Sequence, residues 1–152
     1  MRQYFFRVEG LPPKKDGAKS MWGKSATERI RLLNLRRAAF QAFAGQQPLA
    51  VNISIALEVH VGLTNSRATG DLDNFITGIC DGLMAADGTL IRDLQQRPES
   101  EIAQWWARPE QRYVHPNQCI AIVDDSQVIS IQAIKIIGDA STPWYTVMIE
   151  GA

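Results

Sequence analysis

Two clusters of acidic side chains constrain this chain more than any other feature of its sequence. Asp71-Leu72-Asp73-Asn74 and Asp124-Asp125-Ser126-Gln127 each lie beside a predicted apolar segment. Carboxylates that lie close together repel one another, so a fold that makes them converge usually supplies a divalent cation. If the clusters meet, we expect a Mg²⁺ or Mn²⁺ site, because oxygen ligands select hard cations. The pattern leaves open that Asp73 only caps a helix and that Asp124 and Asp125 only open a turn.

The size and composition of the chain fit one globular domain over residues 1–152. Of the 152 residues, 45% are hydrophobic and 21% are charged, which suffices for one core. No apolar run approaches the roughly 18 residues of a membrane helix, and Arg7 and Glu9 interrupt the run that a signal peptide needs. Cys80 and Cys119 lie in apolar segments, which favours free thiols over a disulfide. We therefore expect a cytoplasmic protein without membrane contact.

Positive and negative charges are unevenly distributed along the chain. Residues 1–70 carry 11 Lys/Arg and 4 Asp/Glu, whereas residues 71–152 carry 5 Lys/Arg and 12 Asp/Glu. This distribution suits a protein that binds a polyanion and performs metal chemistry on it, although the two halves could simply attract each other. The basic candidates for phosphate contacts are Lys14, Lys15, Lys19, Lys24, Arg29, Arg31 and Arg37.

Alternating apolar residues predict a small, mixed and mostly antiparallel sheet. Strands are expected at residues 3–9, 49–61, 118–123, 127–137 and 144–149. Together with two main helices, they indicate an α/β (α+β) fold in a single domain. His60 falls on the more polar face of the second strand, where a surface position is favoured over metal ligation.

Two main helices are predicted from helical periodicity. A capping box at residues 25–28 starts the first helix, which should end near Ala44 with Gly45 as its stop. Arg36 falls inside the apolar stripe of this helix, so we expect it to pair with a carboxylate. Asp73 is predicted to cap the second helix. One further short helix is expected at residues 99–107, within an otherwise irregular stretch.

The two acidic motifs resemble those of a known family, the RusA family of Holliday junction resolvases. The family pattern is D-x-D-N, then D-[AG]-L, then D-D-x-Q-V. The matching segments here are Gly70-Asp71-Leu72-Asp73-Asn74, Cys80-Asp81-Gly82-Leu83 and Val123-Asp124-Asp125-Ser126-Gln127-Val128, with Lys135 on the strand that follows. The resemblance covers nearly the whole chain. It implies a homodimeric endonuclease, bacterial or phage-encoded, that cuts four-way DNA junctions in recombination and repair with Mg²⁺ or Mn²⁺ and no small-molecule cofactor.

The resemblance also assigns roles to individual residues. Carried over by motif, the catalytic residues and metal ligands are Asp71, Asp73 and Asp125, which would activate a water and align the scissile phosphate through the metal. Supporting positions fall to Asn74, Thr77, Asp81, Asp124 and Gln127. DNA contacts are expected from Lys14, Lys15, Lys19, Lys24, Arg29 and Lys135.

One departure from the family pattern concerns the catalytic charge. Thr77 stands where the family has a lysine that stabilises charge on the phosphate. Lys14 or Lys15 is the better candidate to replace it, because Lys135 lies roughly 33 Å along a straight strand from Asp125. The alternative is a junction-binding protein with reduced or lost cleavage. A phosphoesterase acting on a small substrate fits less well, since such a substrate needs no extended cationic surface.

The second departure is an insertion at about residues 87–117. It contains Trp105 and Trp106 and several arginines. We expect the tryptophans to pack on the domain or on a dimer partner, because buried aromatic side chains are common. The alternative is that they stack on unpaired bases at the junction.

Overall fold

A four-stranded mixed sheet organises the molecule. The structure is a computed structural model that describes residues 2–14, 22, 26–46, 48–63, 72–139 and 141–151. Its strands are β1 (Arg2–Glu9), β2 (Ile53–Gly62), β3 (Val128–Gly138) and β4 (Trp144–Gly151). In the order β1-β4-β2-β3, β4 is antiparallel to both neighbours and β3 is parallel to β2. The predicted α+β fold with a small mixed sheet is confirmed.

The strand predicted at residues 118–123 is wrong. Leu49 and Ile122 form an isolated parallel bridge, and β2 begins at Ile53 rather than at Leu49. The backbone N–H groups of Ile120 and Ala121 both donate to the carbonyl of Leu83. Two donors that share one acceptor do not form the regular hydrogen-bond ladder of a β-sheet. These side chains are apolar because they fill the core beneath this point. Apolar character alone cannot distinguish such a segment from a strand.

The two main helices are α1 (Ala26–Ala42) and α2 (Leu72–Gly82). Gly45 follows α1 with a φ of 73°, the left-handed conformation expected of a helix stop. The capping box predicted for α1 includes Ser25, which lies outside the described residues. Because α2 begins at Leu72, Asp73 lies inside its first turn, so the N-cap prediction for Asp73 is wrong. No helix in the described ranges has the length and apolar character needed to cross a membrane.

The core lies between the helices and one face of the sheet. Alternate residues of β2, from Ile53 to Val61, are buried and face the helices. α1 packs against β1 and α2 packs against β3. On the opposite face, the His60 ring stacks on Trp144 with 3.6 Å between centroids. His60 is therefore half-buried within an aromatic pair.

The insertion is more regular than its sequence predicts. It contains α3 (Gly88–Gln96), α4 (Glu101–Trp106) and a 3₁₀ helix (Pro109–Val114). The predicted short helix corresponds to α4, whereas α3 was not predicted because it buries little apolar surface, chiefly at Leu94. Trp106 is 0% exposed and its indole N–H donates to the Trp22 carbonyl at 3.0 Å. The expectation that the tryptophans pack on the domain is thus confirmed for Trp106.

Arg36 closes the base of the insertion. Its side chain is fully buried, and its guanidinium uses five N–H donors on five backbone carbonyls. The acceptors are the carbonyl oxygens of Gly82, Met84, Val114, His115 and Gln118, at 2.6 to 2.8 Å. The prediction that Arg36 pairs with a carboxylate is therefore wrong. Burial lowers the pKa of Arg36 to about 9, so the guanidinium stays charged at neutral pH.

The acceptors of Arg36 come from both ends of the insertion. Gly82 and Met84 precede it, whereas His115 and Gln118 lie at its end. The N–H of Ala86 adds a direct bond to the Pro116 carbonyl at 2.8 Å. The Arg36 side chain of α1 therefore holds the two ends of the insertion together.

Arg36→Met is expected to destabilise the protein by about 3–5 kcal/mol, because it leaves buried carbonyls without donors. The free energy of unfolding from urea titration measures this change. Arg36→Lys retains the charge but has fewer donors, so its stability should be intermediate. Arg37→Met is the control, since Arg37 is half-buried on the same helix. Equal stabilities of Arg36→Met and Arg37→Met would contradict this account.

Candidate metal centre

A 3₁₀ helix (Asp125–Gln127) presents the second acidic motif at the start of β3. Asp124 is its N-cap, and the Asp124 Oδ1 accepts the Ser126 N–H at 2.9 Å. The Gln127 Oε1 accepts the N–H groups of Asp124 and Val123 at 2.8 and 2.9 Å. Together these bonds form a capping box. The Asp124 carboxylate therefore serves the turn, while Asp125 lies in its first position.

Gln127 also attaches this turn to the sheet. Its Nε2 donates to the carbonyls of Leu49 and Val51 at 2.7 and 2.9 Å, just before β2 begins. A single amide thus accepts from one segment and donates to another, which a glutamate carboxylate cannot do. This explains in physical terms why a glutamine follows the two aspartates. The predicted supporting role of Gln127 has a structural basis in the position that it gives to Asp125.

The pKa values of the two aspartates of the turn are shifted in opposite directions. The hydrogen bond to Asp124, with desolvation and the negative charges of Asp124 and Asp81, raises the pKa of Asp125. The Ser126 N–H, followed by the hydrogen bond from Asp125, lowers the pKa of Asp124. Negative charge is therefore concentrated around Asp125.

The C-terminal half of α2 lies near this turn. Burial, followed by the charges of Asp81 and Asp125, raises the pKa of Cys80 to about 11. Cys80 and Cys119 are both free thiols, as predicted. Asp73 lies at the other end of α2, about 12 Å along the helix axis from Asp81. Because the charge of Asp81 contributes to the raised pKa of Asp125, the C-terminal end of α2 is the end that lies near Asp125.

The first acidic motif is only partly described. Asp71 lies outside the described residues, while Asp73 is exposed and Asn74 is half-buried in the first turn of α2. Within the described ranges, no group of three or more His, Cys, Asp or Glu side chains is arranged to hold a metal ion. The predicted triad includes Asp71, so these ranges leave that prediction untested.

The backbone of Pro13 and Lys14 crosses α2 at Gly78, the residue after Thr77. The Thr77 hydroxyl donates to the Asp73 carbonyl at 3.1 Å, so it is engaged with its own helix. At the next residue, a Cβ on Gly78 would lie 1.8 Å from the Pro13 carbonyl oxygen and 3.1 Å from the Lys14 Cα. Only glycine permits this crossing. The Lys14 N–H donates to Glu28 Oε2 at 3.0 Å and anchors the loop there.

The other predicted DNA contacts occupy different surroundings. Lys15, Lys19 and Lys24 lie outside the described residues. Lys135 is half-buried on β3, and its backbone is paired with Val59. Arg29 is 6% exposed, and its guanidinium carbon lies 5.1 Å from the centroid of the Trp105 ring. Arg29 is thus an enclosed cation and not part of an open basic surface.

Two signals in the sequence could have located these contacts. A glycine at position 78, inside a predicted helix, carries a cost in stability and often indicates close approach of another segment. An arginine in an apolar stripe, as at position 36, is compatible with carbonyl acceptors as well as with a carboxylate. The pairing of Arg29 with Trp105 had no signal, because the two residues are distant in sequence.

Neither a scan against protein-family models nor a search of curated proteins gives a match for this chain.

The reactivity of Cys80 tests how the acidic turn faces α2. In a Cys119→Ser background, Asp125→Asn removes a negative charge, lowers the pKa of Cys80 and increases its thiolate fraction at pH 9. Alkylation by iodoacetamide should accelerate roughly threefold, which corresponds to a pKa fall of about half a unit. Asp93→Asn, on the exposed face of α3, is the control. Equal rates for parent and Asp125→Asn would show that the two side chains are not close.

Proposed function

We propose that this chain is a metal-dependent endodeoxyribonuclease that cuts four-way DNA junctions or related branched DNA. The observation that carries the proposal is the position of Asp125. Gln127 holds the turn of Asp125 against the sheet, and the charge of Asp81 contributes to the raised pKa of Asp125. Asp81 lies on the same helix as Asp73, about 12 Å from it along the axis. The resemblance of both motifs to the RusA family supplies the reaction.

A divalent cation suits the chemistry of these donors. The raised pKa of Asp125, caused first by its hydrogen bond to Asp124, reflects crowding of carboxyl groups that a cation would relieve. The proposed ligands Asp71, Asp73 and Asp125 offer only oxygen atoms, which fits Mg²⁺ or Mn²⁺. When bound, the ion would activate a water and stabilise charge on the leaving oxygen.

The protein's own residues have separate tasks in this proposal. Gln127 orients the Asp125 turn, and Asp81 adds negative charge near it. The basic first half of the chain binds the phosphate backbone without regard to sequence. A homodimer would place two such sites on a two-fold symmetric junction.

Lys14 is our candidate for the cation that contacts the scissile phosphate. Its Cα lies 3.1 Å from the Cβ position of Gly78, which puts it within about 9 Å of the Thr77 Cα. A lysine side chain has a flexible four-carbon stem and can extend from there toward the Asp73 face of α2. The bond that anchors this segment comes from the backbone of Lys14, so its side chain is not required for it.

A junction-binding protein with weak cleavage is the second candidate function. The observation in its favour is the hydrogen bond from the Thr77 hydroxyl to the Asp73 carbonyl. Because the hydroxyl proton is used in this bond, Thr77 does not donate it to a phosphate oxygen of the substrate. Such a protein would bind branched DNA with or without metal and would leave it intact.

A synthetic four-way junction tests the proposed nuclease. With Mg²⁺ or Mn²⁺, the parent should produce paired symmetric nicks, and Asp73→Asn or Asp125→Asn should lower the rate roughly a hundredfold or more. Chelation by EDTA should abolish cleavage. Asp93→Asn, which removes an exposed carboxylate elsewhere, should cut like the parent. Binding without nicks would contradict the nuclease and select the junction-binding alternative.

Lys14→Ala should slow cleavage roughly tenfold to a hundredfold while junction binding in EDTA changes little. Thr77→Lys in the Lys14→Ala chain should restore part of the rate, because it returns a charge to the same face of α2. Arg92→Ala, which removes an exposed cation from α3, serves as the control. If Lys14→Ala cuts as fast as the parent, Lys14 is not the phosphate contact.

A further inference from the structure

Arg29 is a buried cation without a hydrogen-bond or ion-pair partner in the structure, on the evidence of the described residues. It is 6% exposed, and its Nε is fully enclosed with no acceptor. The guanidinium carbon lies 5.1 Å from the Trp105 ring centroid. A cation–π contact offsets only part of the cost of removing a charge from water. Among the described residues, the Arg29 Nε therefore lacks an acceptor.

The contrast with Arg36 on the same helix makes this requirement specific. Arg36 is buried as well, and backbone carbonyls accept all of its N–H donors. The nearest acidic residue in sequence, Glu28, already accepts hydrogen bonds from Arg31 and from the Lys14 N–H, both at 3.0 Å. Fold stability thus explains Arg36, whereas the described residues give no such reason for the buried charge at Arg29.

We propose that Arg29 and Trp105 form a binding site for a phosphate group of a nucleic-acid backbone. A guanidinium that lies on an aromatic face keeps its N–H edge available, and this fork matches two phosphate oxygens. Arg29 also lies in the first turn of the 17-residue α1, where the helix dipole favours an anion. The excess of Lys and Arg in residues 1–70 favours a polyanion over an isolated carboxylate.

This site gives the insertion a function within the proposed nuclease. Trp105 belongs to α4, so the insertion would act on DNA by orienting an arginine of the main domain. The choice of nucleic acid as the source of the phosphate rests on the proposed function. The existence of an anion site at Arg29 does not, since it depends on burial and missing acceptors.

Thermal unfolding in matched chloride and inorganic phosphate buffers tests the site without DNA. Phosphate should raise the parent's midpoint, because a ligand bound to the folded state stabilises it. Arg29→Met keeps the apolar stem and removes the charge, so its midpoint in chloride should equal or exceed the parent's. Its rise in phosphate should be smaller than the parent's, since only the general stabilisation by this salt remains. Arg37→Met should respond like the parent. Absence of a phosphate response in the parent, or an unchanged response in Arg29→Met, would overturn the proposal.

Anisotropy with a labelled four-way junction in EDTA tests the source of the phosphate without cleavage. Arg29→Met should bind about tenfold more weakly, with a salt slope smaller by about one, while Arg37→Met retains more affinity. Trp105→Leu should weaken binding less than Arg29→Met. Equal junction affinity of parent and Arg29→Met would overturn the nucleic-acid assignment and leave free phosphate as the ligand. A changed elution volume of Arg29→Met with unchanged DNA affinity would instead identify a carboxylate of a second copy.

These readouts are independent of catalysis. A parent that binds junctions through Arg29 but never cuts them would support this inference and contradict the nuclease. If Arg29→Met binds and cuts junctions as well as the parent does, the nuclease is supported and this inference is contradicted.

Discussion

Five carbonyl oxygens around the Arg36 guanidinium hold the main helices and the insertion in one arrangement. Removing a charge from water costs several kcal/mol, and the net gain per hydrogen bond to a charged group is roughly 1.5–3 kcal/mol. The burial of Arg36 is therefore tolerable because its donors are all used. Since Gly82 ends α2, the same side chain also restrains the helix whose C-terminal half lies near Asp125.

The acidic turn depends on a similar use of one side chain. Gln127 accepts from the backbone of its own turn and donates to the segment before β2. Asp125 is consequently held near Asp81, and its pKa is raised first by the hydrogen bond to Asp124 and then by desolvation and the nearby charges. A site with this concentration of negative charge is stabilised by a cation. The metal remains our proposal, which the resemblance first indicated.

The sequence predicted those elements whose signals are local. Alternation identified β2, and a terminal glycine located the end of α1 at Gly45. The failures came from long-range contacts. Residues 118–123 look like a strand because they are apolar, but their backbone converges on Leu83. The carbonyl partners of Arg36 lie 46 to 82 residues away along the chain, so no local pattern reveals them.

The distinction between local signals and long-range contacts also applies to the candidate site. The motif around Asp125 predicted a supporting role for Gln127, and the structure shows Gln127 within a capping box that fixes the conformation of this turn. The approach of Lys14 to Gly78 and of Arg29 to Trp105 depends on the packing of separate segments. Of the four arginines of α1, Arg29 and Arg36 are buried; carbonyls accept every N–H of Arg36, whereas the Nε of Arg29 has no acceptor among the described residues. Arg36 therefore maintains the fold, and Arg29 is the residue for which we propose a ligand.

The central claim is that Asp71, Asp73 and Asp125 bind one divalent cation. Anomalous diffraction from crystals grown with Mn²⁺ tests it most directly, because the manganese signal locates the ion independently of any activity. The account predicts one ion per chain, ligated by oxygens of these three carboxylates, and no ion in crystals of Asp125→Asn. A parent without bound manganese, or an ion bound away from Asp125, would contradict it.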